Sequence, residues 1–375
     1  MKLIQSKLDL INKTRTSRLP WKGQFSPQFI EYLLSEFKKA NYIYDPFCGS
    51  GTVLFESAIL GKKAIGSEIN PAAWCLSALS EKPSLSEIQE IKEQIIQLQK
   101  AQDLIGYVKD ISLNKSINLL TKRILHTIIL LSMGNSKEIK NKNYNKTISL
   151  VENLILDSNM YLSSSKCNLE DARYSEVDEK SIDLVITSPP YINVFNYHQN
   201  YRHAMELLGW RPLEAAKGEI GANRKFRQNR FLTVIQYAID MGLILNQLLR
   251  VTKINGNVVL IIGRTSSVLG QQFSNSGIIL DMIEESNIFI IDNIYERSFM
   301  NNYGKMITED VLILKRNKNN NNIINKDVSR SIAEKYLKDI KTNNEETRIL
   351  LKLAIDKIDT INESEKVFIS IPILQ

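Results

Sequence analysis

Positions 42 to 52 read Tyr-Ile-Tyr-Asp-Pro-Phe-Cys-Gly-Ser-Gly-Thr, a β-prone run that breaks into a glycine turn and then into the apolar periodicity of a helix. A strand that enters a helix through glycines opens a parallel α/β unit. Glycine permits the tight turn and lets a ligand approach the backbone with no Cβ in the way. The pattern recurs along the chain. Short β-branched runs at 42–45, 63–68, 182–187 and 257–263 alternate with helical patterns at 27–39, 52–60 and 234–252, which predicts a mainly parallel sheet covered on both faces. A helical piece at 277–286 precedes two β-like runs, 288–295 and 310–315. Their tight link predicts an antiparallel hairpin at the sheet edge.

Two regions break this rhythm. Residues 84–162 place Ile88, Ile91, Ile95 and Leu98 at helical spacing and carry no strand signal, so they read as a helical insertion. Residues 316–325 contain Asn319 to Asn322 in a row, a low-complexity linker, and two helical patterns follow at 329–341 and 345–358. The expected organisation is a core α/β domain of residues 20–83 and 163–316, an insertion of 84–162, and a linker with a helical appendage over 317–375.

Composition sets the function classes. The 375 residues carry 48 Lys and Arg against 41 Asp and Glu, a formal charge of +7, compatible with a polyanionic partner but weak evidence alone. Three cysteines without a C-x-x-C spacing and three histidines argue against a metal site and for a reducing cytoplasm. The first twenty residues lack a signal-peptide core. The longest apolar stretch, 124–133, contains His126 and reads as a buried helix, so no membrane association is expected.

Glu68 closes the strand after Asp45, at the position where an acid accepts hydrogen bonds from ribose hydroxyls. Position 54 is Leu, so the third glycine of a dinucleotide fingerprint is missing, and so is the Lys-Ser/Thr of a P-loop. A ligand with a ribose but no pyrophosphate needs neither feature, which points to S-adenosylmethionine. A structural turn in an unrelated α/β protein is the competing reading.

The run Ile182-Asp183-Leu184-Val185-Ile186 leads into Thr187-Ser188-Pro189-Pro190-Tyr191. Two prolines cannot continue a central strand, and they fix an extended turn at a strand's carboxyl end, where open α/β sheets bind ligands. Such a turn suits the exocyclic amine of a planar base. Ser188 Oγ and the Pro189 carbonyl can accept the two amine hydrogens, and Tyr191 can stack on the base.

Together, Asp45 to Thr52, Glu68, Asp171 and Thr187 to Tyr191 resemble the amino-methyltransferases of DNA, the cytosine-N4 and adenine-N6 family of restriction-modification systems. The resemblance covers roughly residues 20–316 and implies a Rossmann-like methyltransferase fold: a mixed, mostly parallel seven-stranded sheet with helices on both faces. It implies that Asp45, Phe47, Gly49, Gly51, Thr52 and Asn70 meet S-adenosylmethionine, that Glu68 holds the ribose, and that Asp171 meets the adenine. The looser match of Trp21 to Ser26 adds Phe25 at the methionine end. Ser188, Pro189, Pro190 and Tyr191 become the catalytic turn. Serine before the prolines favours cytosine N4, with adenine N6 the alternative. The glycine motif precedes the Pro-Pro motif, unlike the permuted order common among Ser-Pro-Pro-Tyr enzymes.

The expected reaction is direct displacement by the amine on the sulfonium methyl. No cysteine follows a proline, so the cytosine-C5 route with its thiolate nucleophile is excluded. Double-stranded DNA is the expected substrate, its base flipped out of the stack, with a cognate restriction endonuclease as a possible partner. Asn193, Tyr197, Arg202, Arg224, Lys225, Arg227 and Arg230 are the expected nucleic-acid contacts; residues 202–230 hold seven Lys and Arg against three Glu. Two rivals stand: an RNA enzyme acting on guanine N2, and a catalytically silent DNA-binding protein on the same fold.

Overall fold

The computed structural model describes residues 2–10, 14–193, 196–222, 226–300, 304, 306–320 and 322–367. Its strands are β1 (Tyr42–Asp45), β2 (Lys63–Glu68), β3 (Ser165–Leu169), β4 (Ile182–Thr187), β5 (Thr252–Gly263), β6 (Thr265–Val268), β7 (Gln271–Ser274), β8 (Phe289–Met300) and β9 (Met306–Arg316). Seven of them form one sheet in the order β3-β2-β1-β4-β5-β9-β8, and β6 with β7 make a separate hairpin. Neighbours from β3 to β5 are parallel, and β9 runs antiparallel to both β5 and β8. This is the mixed, mostly parallel Rossmann-like methyltransferase sheet.

The chain winds outward from β1 to β3 and then returns to place β4 on the other side of β1. The crevice at that reversal lies between the carboxyl ends of β1 and β4. Asp45 ends β1, Glu68 ends β2 and Thr187 ends β4, so the three motif strands deliver their functional ends to one edge.

The helices are α1 (Gln5–Asp9), α2 (Pro27–Glu36), α3 (Thr52–Ile59), α4 (Pro71–Ser77), α5 (Leu85–Lys100), α6 (Leu104–Leu113), α7 (Leu119–Met133), α8 (Asn141–Asp157), α9 (Arg202–Leu207), α10 (Pro212–Gly218), α11 (Leu232–Val251), α12 (Asn275–Ser286), α13 (Lys326–Lys338) and α14 (Glu345–Asp356). Alternate residues of the strands feed two cores. Ile43, Leu184, Ile186, Val259, Ile261 and Ile313 pack with α2, α3, α4 and the insertion. Tyr44, Val185, Val258, Leu260, Ile262 and Leu314 pack with α11, α12 and α13 on the other face.

Residues 84–162 are helical as expected, beginning with a capping box between Ser84 and Glu87. They share a core with one face of the sheet. Arg123 of α7 stacks on Trp74 of α4 at 4.3 Å and donates to the Trp74 carbonyl at 2.6 Å. His126 accepts from Trp210 Nε1 at 3.0 Å, and its burial pushes the imidazole down to about 3, so it packs as a neutral ring. The apolar α11 is long enough to cross a membrane, but it is the core helix beneath the sheet.

The C-terminal region corrects the expectation of an appendage. Asn317 and Asn320 donate to the Asn287 and Ser286 carbonyls at the end of α12, so the asparagine-rich linker satisfies the orphan acceptors of a helix terminus. Ile332, Ala333 and Leu337 of α13 join the core against α11 and α12. Past α14, Ser364 donates to both carboxylate oxygens of Asp240, at 2.9 Å from its backbone nitrogen and 2.6 Å from Oγ. The tail is part of the domain.

Candidate active site

The glycine loop is held by carboxylates. Gly49 and Gly51 adopt φ of +55° and +92°, conformations that a Cβ disfavours. A Cβ at Gly51 would also come within 3.3 Å of Ser77 Cβ, and one at Gly49 within 3.1 Å of the Trp21 ring. Glu68 accepts from Gly49 N at 2.8 Å and from Asn70 N at 2.7 Å. Its two oxygens thus bridge the turns that follow β1 and β2, with lone pairs left for ribose hydroxyls. Asp45 Oδ1 accepts from Phe47 N at 3.1 Å and from Thr187 Oγ1 at 2.6 Å, which ties the glycine loop to the Pro-Pro turn across the switch point.

Burial raises both acids. Asp45 is pushed up to about 7 by loss of water, against the hydrogen bonds from Thr187 and Phe47. Glu68 is likewise raised to about 7, against those from Asn70 and Gly49. Two desolvated carboxylates beside a glycine cradle suit a cationic, ribose-bearing ligand, whose charge would restore their ionisation.

Several expected cofactor residues have other duties here. Asn70 caps α4, accepting from Ala72 N at 2.9 Å and donating to the Tyr197 carbonyl at 3.0 Å, so it builds the site rather than presenting a free group. The Asp171 carboxylate is engaged by Arg173, with Nη2 at 2.5 Å and Nε at 3.0 Å. Arg173 also reaches Asp240 and the carbonyls of Ser364 and Glu365, so Asp171 serves a buried ionic brace instead of standing open. Phe25 packs on Phe29 at 6.0 Å, Phe47 is half-buried, and Thr52 is buried at the start of α3.

The Ser-Pro-Pro-Tyr turn gains a support that sequence reasoning missed. Ser188 Oγ lies 3.2 Å from Tyr191 Oη, and Tyr191 Oη donates to Glu309 Oε1 at 3.1 Å. Glu309 faces Arg297 Nη1 at 3.3 Å. Asn275, fully buried on α12, accepts from Ile192 N and donates to the Gly263 carbonyl and Ser266 Oγ, fixing the residue after Tyr191 to the end of β5. The Tyr191 ring rests on Gly263, where an added Cβ would lie 2.7 Å from Cε2. A signal for Glu309 was present: β9 is antiparallel, so the polar pair Glu309-Asp310 before its apolar run lies at the functional edge of the sheet.

Among the described residues, the expected nucleic-acid contacts Tyr197, Arg202 and Asn193 bond to different partners. Tyr197 stacks on Trp21 at 6.5 Å beside the glycine loop, and Tyr201 stacks on the same ring at 6.4 Å. Arg202 pairs with Glu206. Asn193 donates to the Ser267 carbonyl of the β6–β7 hairpin at 3.0 Å. Arg227 is exposed and Arg230 half-exposed, while Arg224 and Lys225 lie outside the described residues. His198 is buried with Nδ1 2.8 Å from Glu219, and among the described residues there is no His, Cys, Asp and Glu cluster able to hold a metal.

The chain is similar to known methyltransferases. Residues 32–206 match the model of the UPF0020 family, the RMKL-like methyltransferase domain. A probable tRNA (guanine(10)-N2)-dimethyltransferase of Methanothermococcus thermolithotrophicus is 30% identical over 170 residues, which are 44% of this chain and 95% of that relative. This chain belongs to the S-adenosylmethionine-dependent methyltransferases. The methyltransferase is also 36% identical to the type II methyltransferase M.MjaII of Methanocaldococcus jannaschii, over 110 residues that make up 28% of this chain and 19% of that protein. It thus spans about a fifth of the one relative and nearly all of the other. A solved S-adenosylmethionine-dependent methyltransferase of Methanosarcina mazei aligns at 12% identity and a TM-score of 0.34, over 73% of this chain and 92% of its own. TrmN of Thermus thermophilus aligns at 11% identity and a TM-score of 0.34, over 79% of this chain and 50% of its own.

Proposed function

We propose that this methyltransferase transfers a methyl group to the exocyclic amine of a nucleic-acid base, with cytosine N4 of double-stranded DNA as the target. The observation that carries the reading is the coupling of the Ser-Pro-Pro-Tyr turn to the cofactor loop by the buried Thr187–Asp45 hydrogen bond at 2.6 Å. It brings an amine-accepting turn and a methyl-donor cradle to one crevice.

Bound S-adenosylmethionine supplies a methyl group already activated on a sulfonium. Asp45, Gly49 and Glu68 would hold it. Ser188 Oγ and the Pro189 carbonyl accept the amine hydrogens and set the nitrogen lone pair toward the methyl carbon. Orientation provides most of the acceleration, because the chemistry needs no nucleophile from the protein. To reach the crevice, a base in a duplex leaves the stack, and the exposed Arg227 with Arg230 would meet phosphates. Asp171 and Asn70 contribute by bracing the cofactor side. Duplex DNA in a cytoplasmic restriction-modification setting, with a cognate endonuclease, is the biological frame of this reading.

A second reading is methylation of guanine N2 in tRNA. It is favoured by the near-complete span of the relative that carries that name. Incubation with labelled S-adenosylmethionine and either unmethylated plasmid or RNA, followed by mass identification of the modified nucleoside, separates the two. N4-methylcytosine in DNA is the expected product. N6-methyladenine corrects the base, label confined to RNA selects the second reading, and absence of label with DNA still bound leaves a silent binder.

A further inference from the structure

Methylation of an exocyclic amine creates an acid that must be removed. As the nitrogen lone pair forms the N–C bond and the C–S pair stays on sulfur, the amine gains a positive charge and an N–H proton must depart. Ser188 is the first acceptor within reach of such an amine, but a serine hydroxyl cannot hold an extra proton near neutral pH. A path away from Ser188 is therefore required.

The hydrogen bonds define its direction. Tyr191 has one hydroxyl proton, and it is donated to Glu309 Oε1 at 3.1 Å. Between Ser188 Oγ and Tyr191 Oη, 3.2 Å apart, the proton must then come from Ser188. With its own proton directed inward, Ser188 has only lone pairs to offer the amine. Every donor in the chain points from the crevice toward Glu309. Beyond Glu309 stands Arg297, 4% exposed, its guanidinium 3.3 Å from the carboxylate and 3.9 Å from the Phe29 ring centre. A bulkier residue than Gly263 beneath the Tyr191 ring would break the alignment.

We propose that Glu309, steadied by Arg297, terminates a proton path from the target amine through Ser188 and Tyr191. The inference rests on the amine-methyltransferase reading. The amine proton passes to Ser188 Oγ, the Ser188 proton to Tyr191 Oη and the Tyr191 proton to Glu309. The positive sulfonium and negative carboxylate become a neutral thioether and a neutral carboxylic acid, so charge balances inside a desolvated site. Glu309 acts through Tyr191 and is a positioning residue as well as the final acceptor. Burial raises its carboxyl above the ordinary range while Arg297 opposes that rise, so it can both receive a proton and return it to water between turnovers. The charged and titratable groups that bear on Glu309 are Arg297 from β8 and Tyr191 from the segment after β4; Tyr197 in turn acts on Tyr191, and Asp9 of α1 on Arg297, while the adjacent Asp310 and Glu296 are both paired with Arg264.

The test uses the full chain with whichever nucleic acid the wild type modifies, comparing Glu309→Gln, Tyr191→Phe and the double variant. Glu309→Gln keeps an acceptor for the Tyr191 hydroxyl but cannot take its proton. It should lower kcat about a hundredfold, in the range lost with general acid-base groups, with KM for S-adenosylmethionine within about threefold of wild type. The acidic limb of the kcat–pH profile should vanish with it, and the double variant should be no slower than the slower single one. The infrared difference spectrum of the ligand-free proteins at acidic pH, wild type minus Glu309→Gln, should contain a protonated carboxyl band beyond those that Asp45 and Glu68 give in both. If Glu309→Gln is less stable yet keeps wild-type kcat and the acidic limb, the path is refuted and Glu309 is only a structural partner of Tyr191. If the wild type itself methylates no amine in DNA or RNA, the functional reading fails, and the path with it.

Discussion

Gly263→Ala isolates the contribution of Tyr191 placement. Gly263 does not take a left-handed φ, so alanine suits the strand backbone, and the whole effect comes from one methyl group. That carbon would lie 2.7 Å from Tyr191 Cε2 and 3.0 Å from Cδ2 and Cζ. Carbon contacts settle near ~3.5–4.0 Å, so the ring must retreat by roughly 1 Å. The Tyr191 hydroxyl is already 3.1 Å from Glu309 and 3.2 Å from Ser188. A retreat of that size carries both distances beyond hydrogen-bonding range. Overpacking costs about 1–3 kcal/mol, and two lost hydrogen bonds, one to a carboxylate, add about 2 kcal/mol. The expected loss of stability is therefore about 3–5 kcal/mol, measured by urea denaturation. A displacement of that size near the reacting atoms also costs about a hundredfold in kcat. S-adenosylmethionine affinity, measured by calorimetry, should not change, since Asp45 and Glu68 lie apart from this contact. Wild-type turnover in Gly263→Ala, or a loss of cofactor affinity as large as the loss of kcat, would refute the assignment of Tyr191 to the target side of the crevice.

Asp45 and Glu68, both raised to about 7, give opposite pH dependences to stability and to binding. The folded, ligand-free protein holds protons that the unfolded chain has already released, so its stability falls as pH climbs from the ordinary carboxylate range through about 7. A cationic ligand prefers the ionised acids, so S-adenosylmethionine affinity should rise over the same window, by up to about tenfold per pH unit for each proton released. Calorimetry in buffers of different ionisation enthalpy measures that release, and Asp45→Asn should reduce it. At the buried brace, removing Asp240 leaves Arg173 without one of its two carboxylate partners, and Asp240→Ala should cost about 3–5 kcal/mol in urea denaturation. Asp171→Ala should destabilise as well; if it lowers cofactor affinity with stability untouched, its carboxylate is a ligand rather than part of the brace.

What the residues announced in advance were the features encoded locally. Glycine turns, the paired prolines and β-branched runs each carry their own short-range signal, and the strands β1, β2, β4, β5, β8 and β9 followed from them. β3 was missed because Ser-Lys-Cys-Asn-Leu has little β-branching and holds its place by pairing with β2. The β6–β7 hairpin was hidden by its polar residues. The polar pair before the apolar run of β9 hinted at Glu309, but its place between Gly263 and Arg297 comes from the register that sets both opposite it. The same limit applies to the tail, whose asparagines looked like solvent linker until α12 supplied their acceptors. The motif singled out Asp171 and Asn70, but what their side chains bond to depends on Arg173, Tyr197 and residues nearly two hundred positions later.

That separation has a consequence for how the protein is made. Arg173 finds two of its acceptors 191 and 192 residues further along the chain. At ~5–20 residues per second a ribosome needs roughly ten to forty seconds to supply them. During that interval the glycine loop, Glu68 and the Pro-Pro turn can be present while the guanidinium behind them lacks its last partners. The enzyme therefore matures late: synthesis must reach Ser364 and Glu365 before the brace beside the cofactor crevice closes, and a nascent chain stopped earlier carries the motifs without the finished site.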